Sequence, residues 1–235
     1  MSAEGARGLA VVGTDTGVGK TVVSAVLATA WAATWATHGS VAYWKPLATG
    51  ADASDPEDPE RDSATVARLA HPAVEILPET YLFPEPASPH LAARLAGAAI
   101  DPAAVLADLD RHRAVAGRRL VVEGVGGLLV PLTEEGYLLA DFLAAARLPC
   151  LLVARTGLGT LNHTLLTLEA LAARRLAVAG IVLSGPAHPE NRRTLERLAG
   201  TPVLAHLPPL ALDRASVAQA ARAFDPDDQL WRSLP

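Results

Sequence analysis

The chain has 235 residues, half of them apolar, and a formal net charge of −5. That length suits one domain over residues 1–235 with a full core, and the acidic balance excludes the basic surface on which non-specific nucleic-acid binding runs. The single cysteine, Cys150, excludes an intramolecular disulfide framework and a cysteine-cluster metal site.

Met1 to Arg7 lacks the long apolar segment of a signal peptide. Leu9 to Val12 is then a short apolar run that reads as a buried strand. The turn Gly13-Thr14-Asp15-Thr16-Gly17-Val18-Gly19-Lys20-Thr21 follows, and Thr21 to Thr37, rich in alanine and free of Gly and Pro, reads as a helix. Strand, glycine-rich turn, Gly-Lys-Thr and helix are the context of a phosphate-binding P-loop. Glycines let consecutive backbone N–H groups face one anion, and the helix N-terminus adds partial positive charge. In such a loop Lys20 reaches the β- and γ-phosphates and the Thr21 hydroxyl ligates Mg²⁺. The spacing departs from the general pattern: five residues, not four, separate Gly13 from Gly19. No residue between Lys20 and Lys45 is charged apart from His38 when protonated. Repeated Thr and Ser, with Gly39, argue against a membrane span, so no membrane partner is expected and the cytoplasm is the expected compartment.

Val41 to Trp44 reads as a second strand, ending in Lys45-Pro46-Leu47-Ala48-Thr49-Gly50. Ligands of parallel α/β sheets sit beyond the carboxyl ends of strands, so Lys45 is either a second cation beside the P-loop or an ordinary solvated lysine. Ala51 to Arg61, acidic and proline-rich, reads as a mobile surface loop. Asp62 opens a helical pattern to Ala70; it is either an N-cap or a carboxylate held at the site, and spacing does not decide. Helices are expected from Ser88-Pro89-His90, with His90 at the surface, and from Asp101-Pro102 to about Arg113. Arg119 to Val122 is a third strand ending in Glu123-Gly124-Val125-Gly126-Gly127, a carboxylate at a strand end as a Walker-B-like Mg²⁺ position requires. Leu148 to Ala154 is a fourth strand, placing Cys150 in a buried setting. The turn Arg155 to Thr164, with Thr160, Leu161 and Asn162, then opens a helix to about Arg175; it is an anion cradle or simply a capped helix start. Val178 to Ser184, followed by Gly185, and Pro202 to Ala205 complete six strands, with helices near Glu190–Ala199 and Asp213–Ala223. The alternation predicts an α/β fold: a P-loop NTPase-like parallel sheet with helices on both faces.

The pieces Gly13–Thr21, Lys45–Gly50, Ser88-Pro89-His90, Glu123–Gly127 and Gly159–His163, in this order, resemble the dethiobiotin synthetase family, ATP-dependent enzymes of biotin synthesis. The five-residue gap in the P-loop is usual there. The resemblance implies that 7,8-diaminononanoate, CO₂ and ATP give dethiobiotin, ADP and phosphate through a carbamate and a carbamic–phosphoric anhydride. It implies that Thr14 to Thr21, Glu123, Gly126, Ser184 and Gly185 line the nucleotide. It further implies that Thr21, Asp62 and Glu123 hold Mg²⁺, and that Lys20, Lys45 and Thr49 act on the carbamate and phosphate. Thr160, Leu161 and Asn162 would take the substrate's distal carboxylate across a homodimer interface. Two departures stand out. Gly17 replaces a common glutamate, and Ser184-Gly185 replace an Asn-Asp pair that reads adenine, which leaves the base preference open. Two related readings differ in chemistry. A cobyrinate-type amidating synthetase needs a cysteine nucleophile, for which strand residue Cys150 is poorly suited. A ParA/MinD-like ATPase switch usually carries a second lysine early in the P-loop, where this chain has Thr14 and Asp15, and its ending from Asp225 to Arg232 is acidic.

Overall fold

The computed structural model describes residues 8–224 and Leu230. The readings of Met1–Arg7 and of the acidic ending therefore lie outside the described residues, Leu230 excepted. In chain order the elements are β1 (Gly8–Gly13), α1 (Lys20–Trp35), β2 (Val41–Trp44), β3 (Leu47–Thr49), α2 (Asp62–Leu69) and β4 (Val74–Leu77). Next come β5 (Tyr81–Phe83), α3 (Pro89–Leu95), α4 (Pro102–Arg113), β6 (Arg119–Glu123), α5 (Leu139–Ala146) and β7 (Cys150–Arg155). The remainder are α6 (Thr160–Ala173), β8 (Val178–Ser184), α7 (Pro189–Leu198), β9 (Val203–Leu207) and α8 (Arg214–Phe224).

Seven strands form one parallel sheet in the order β4-β2-β6-β1-β7-β8-β9. Alternate residues of its central strands enter two separate cores. Ala10, Val12, Leu120, Val122, Cys150 and Leu152 pack under α3 to α7, whereas Leu9, Val11, Val121, Leu151 and Val153 pack under α1, α2 and α8. A strand buried on both faces needs a near-continuous apolar run, which β1, β6 and β7 have. Helix α1 lacks charge after Lys20 because it lies between the sheet and α8, with Trp31 fully buried. Among the described residues no helix is long and apolar enough to cross a membrane.

The predicted parallel α/β sheet with helices on both faces is present. Four pieces add to the expected pattern: β4 at the sheet edge, the helix α5, and a separate two-stranded parallel sheet of β3 and β5. These strands are only three or four residues long. Such short segments become strands through a distant pairing partner rather than through their own periodicity. The chain leaves β1 toward β2 on one side and later adds β7 on the other, so the sheet order reverses at β1. A crevice opens at such a switch point, beyond the strands' carboxyl ends.

Candidate active site

The register of the sheet builds the site. Val11 pairs with Glu123 and Trp44 pairs with Val122. Glu123, Lys45 and the P-loop must therefore leave three adjacent strands at the same end. The loop turns through Gly17 at φ 67° and Gly19 at φ 100°, backbone conformations that a side chain would strain. A Cβ on Gly13 would meet Val18 Cγ2 at 2.8 Å and the Asp15 carbonyl oxygen at 2.9 Å, so Val18 is packed beneath the loop rather than facing the crevice.

Lys20 Nζ donates to the carbonyl oxygens of Asp15 at 2.9 Å and Gly126 at 2.8 Å. Burial pushes its pKa down to about 8, with the charge of Lys45 adding to the effect and Glu123, Asp62 and Asp15 opposing it. The Thr21 hydroxyl lies 2.6 Å from Asp62 Oδ1 and 2.9 Å from Glu123 Oε1. The buried Lys45 ammonium is 3.0 Å from Glu123 Oε1 and touches Asp62 Oδ2. Burial alone would depress the lysine, but the carboxylates of Glu123 and Asp62 outweigh it and hold Lys45 above its ordinary value. Asp62 is held below the usual carboxylate range: burial works against this, and Lys45 and the Thr21 hydroxyl prevail. The Tyr43 hydroxyl donates to Glu123 Oε2 at 2.8 Å from β2. Fully buried Glu123 thus has one oxygen fixed from behind and the other turned to the crevice.

These contacts bear on the alternatives left open for Lys45 and Asp62. Lys45 is 4% exposed, not solvated. The N-cap of α2 is Arg61, without a side-chain cap bond, and the Asp62 carboxylate points to Thr21 and Lys45 instead. Two carboxylates and a hydroxyl converging on a bound ammonium form a hard-oxygen donor set. It fits Mg²⁺, which uses one or two carboxylates with phosphate and water. It does not fit a metal needing an all-protein cage, and among the described residues no group of three His, Cys, Asp or Glu is placed to form one.

A cavity of about 1020 Å³ contains Thr14, Asp15, Thr16, Gly17, Gly19, Lys20, Thr21, Lys45, Thr49, Asp62, Glu123 and Gly126 in its wall. It also takes in Pro86 to Pro89, Leu128 to Val130, and Leu166, Thr167 and Ala170 of α6. Of these, only Ser88 and Pro89 carried a sequence signal. The open face of α6 gave none, since Leu166 and Ala170 have the one-turn spacing of ordinary core residues. Ser184 and Gly185 are outside this wall but next to the loop. A Cβ on Gly19 would meet Ser184 Oγ at 2.5 Å, and Gly185, at φ 128°, accepts a hydrogen bond from His206 Nε2 at 2.8 Å. Thr160, Leu161 and Asn162 are also outside it. The buried Thr160 hydroxyl closes its turn on the Arg155 carbonyl at 2.5 Å, and Asn162 is exposed. His90, expected at the surface, is half-buried.

A P-loop on the central strand of a parallel sheet, with buried cations and carboxylates at the neighbouring strand ends, defines a P-loop nucleotide-dependent enzyme. The family model described as an AAA domain matches residues 7–215. The ATP-dependent dethiobiotin synthetase of Paramagnetospirillum magneticum is 44% identical over 213 residues, covering 90% of this chain and 93% of that one. The synthetases of Agrobacterium fabrum and Rhizorhabdus wittichii are each 46% identical, covering 87% and 94% of this chain and 90% and 98% of their own. The chain belongs to the ATP-dependent dethiobiotin synthetases, ligases that form C–N bonds in biotin biosynthesis. In shape it is also similar to a ParA family ATPase from Chlorobium tepidum, with a TM-score of 0.57, 13% identity, and 97% and 96% of the two chains covered. The MinD cell division protein of Aquifex aeolicus gives a TM-score of 0.58 at 10% identity, with 97% and 98% covered. At such identities the likeness is one of fold alone.

Proposed function

We propose that the crevice joins a carbamate to the γ-phosphate of ATP. In this reading one amine of 7,8-diaminononanoate takes up CO₂, and a carbamate oxygen displaces ADP from the γ-phosphate. The second amine then attacks the carbamoyl carbon, closes the ureido ring and expels phosphate. Two anions must meet, so positioning and charge neutralisation carry most of the catalysis. Lys20 and the loop amides of residues 14–21 would hold the triphosphate. Lys45 and Thr49 would hold the carbamate where it meets the γ-phosphate. Thr21, Asp62 and Glu123 would hold Mg²⁺, which when bound neutralises the β- and γ-phosphate oxygens. Lys45 would then exchange its carboxylate partners for the reacting anions.

The observation that carries the reading is the buried Lys45 ammonium, shared by two carboxylates and placed beside the P-loop at the head of a partly apolar cavity. Leu129, Val130, Leu166 and Ala170 offer an apolar wall for the aliphatic stem that separates a remote carboxylate from the amines. Among the described residues lining that cavity the cations are Lys20 and Lys45, both at the phosphate end. The remote carboxylate therefore needs donors from elsewhere. The exposed Asn162 at the start of α6, with the Thr160–Leu161 backbone, is suited to supply them from a second copy of the chain in a homodimer. Ser184 and Gly185, beside Gly19, would face the nucleoside end of ATP. The test is phosphate release with Mg²⁺ and ATP, with and without diaminononanoate and bicarbonate. Release that requires the diamine supports the reading; diamine-independent hydrolysis refutes it in favour of a switch-type ATPase.

A further inference from the structure

The residues on either side of Asp62 are tied to a single carboxylate. Glu79 Oε1 accepts from Arg61 Nε at 3.1 Å and from the Ser63 hydroxyl at 2.5 Å, and Oε2 accepts from Arg61 Nη2 at 2.5 Å. The Glu79 side chain is 2% exposed and that of Arg61 16%. Glu79 stands two residues beyond β4, which pairs with β2, the strand that leads into Lys45. The grip is thus anchored to the sheet edge. What it grips is the junction between the largely exposed acidic loop that ends at residue 61 and the head of α2, where the N-cap side chain makes no capping bond.

We propose that Glu79 is a positioning residue: by clamping Arg61 and Ser63 it fixes the backbone at residue 62, so that the Asp62 carboxylate meets Thr21 and Lys45 before any ligand arrives. Glu79 is not among the residues that line the crevice and acts through Asp62. Ordering a backbone residue costs conformational entropy, and a loop end left free would lose it each time Asp62 engaged a metal. The bidentate, charge-assisted geometry of the Arg61 pair suits such a fixed role. The proposal rests on the reading of Asp62 as a ligand of the divalent cation.

The test is Mn²⁺ binding, read by electron paramagnetic resonance, to the full chain with a non-hydrolysable ATP analogue. Analogue binding in EDTA and thermal midpoints are measured alongside. Loss of a partner behind a metal ligand typically weakens metal binding by about tenfold to a hundredfold, and Glu79→Gln is expected to do so while leaving analogue binding in EDTA unchanged. Asp62→Asn should weaken Mn²⁺ at least as much, and the double variant no further than Asp62→Asn alone, since one residue acts through the other. Ser63→Ala, which removes a single bond, carries the same comparison if Glu79→Gln does not fold. Unchanged Mn²⁺ affinity in a folded clamp variant, with Asp62→Asn impaired, overturns the clamp. An equal loss of analogue binding in EDTA also overturns it, because the effect is then a general loosening. Unchanged Mn²⁺ affinity in Asp62→Asn removes the metal reading of Asp62, and the proposal with it.

Discussion

Replacing Lys45 by methionine keeps an unbranched stem of similar length and removes the ammonium that Glu123 and Asp62 share. Glu123, fully buried, would keep the bond from the Tyr43 hydroxyl at 2.8 Å, with the Thr21 hydroxyl 2.9 Å away and shared with Asp62, but lose its cation. Removing one member of a buried pair costs about 3–5 kcal/mol. The Asp62 side chain is one-third exposed, at 33%, so water compensates part of its loss and the low end applies. About 3 kcal/mol in a protein of this size lowers the thermal midpoint by roughly 6–12 °C. The sign with pH is simple. Asp62, depressed in the folded state, contributes stability above its unfolded pKa and loses it as pH falls through the folded value. Lys45, raised, contributes fully below its unfolded pKa and loses it as pH rises through the folded value. A scan at pH 7.5 therefore compares the pair at full strength. Adding Mg²⁺ and nucleotide should recover much of the lost midpoint, because it returns positive charge to the two carboxylates. Diamine-dependent phosphate release should fall by at least about 10²–10³-fold, the usual cost of one electrostatic donor in a reacting site, while nucleotide affinity changes little. A Lys45→Met protein with normal turnover and an unshifted midpoint would refute the two-cation site.

Three further outcomes are expected. With metal chelated, nucleotide should bind more weakly as pH rises: if Lys20 titrates near 8 when free and stays charged against phosphate, affinity falls roughly tenfold from pH 7 to 9 by isothermal titration, and a flat profile would count against Lys20 as the phosphate cation. Lys20→Ala and Asn162→Ala chains, each inactive, should regain activity when mixed into hybrid dimers, because one shared site is then intact; hybrids no more active than the parents would argue for self-contained sites. Ser184 and Gly185 lack the two-pronged amide contact to a base, so kcat/KM should be comparable for ATP, CTP, GTP and UTP; a preference for ATP beyond about a hundredfold, roughly 2.7 kcal/mol, would reveal a dedicated adenine contact.

What the sequence disclosed follows from locality. The P-loop is one turn between a strand and its own helix, and Lys45 and Glu123 declare themselves by standing at the ends of short apolar runs. Cys150, read as a buried strand thiol, is fully buried, and burial pushes its pKa up to about 12, consistent with an unreactive role. Asp62 stayed ambiguous because its meaning depends on a contact 41 residues away, to Thr21, across a loop without periodicity. Glu79 and Tyr43 gave no signal, since a buried hydrogen-bonding group in a short segment looks like any polar or aromatic residue there. The strand β3 was hidden inside the Lys45–Gly50 turn because its partner, β5, lies more than thirty residues on. The cavity face of α6 was hidden because helical spacing says which residues share a face, not whether that face is covered.

The most direct measurement is stoichiometric product formation: purified protein with ATP, Mg²⁺, bicarbonate and 7,8-diaminononanoate, with dethiobiotin and ADP quantified together. The account predicts one dethiobiotin per ADP, none of either above background when the diamine or Mg²⁺ is withheld, and near-complete loss in Lys45→Met. Steady ADP formation without dethiobiotin would contradict it.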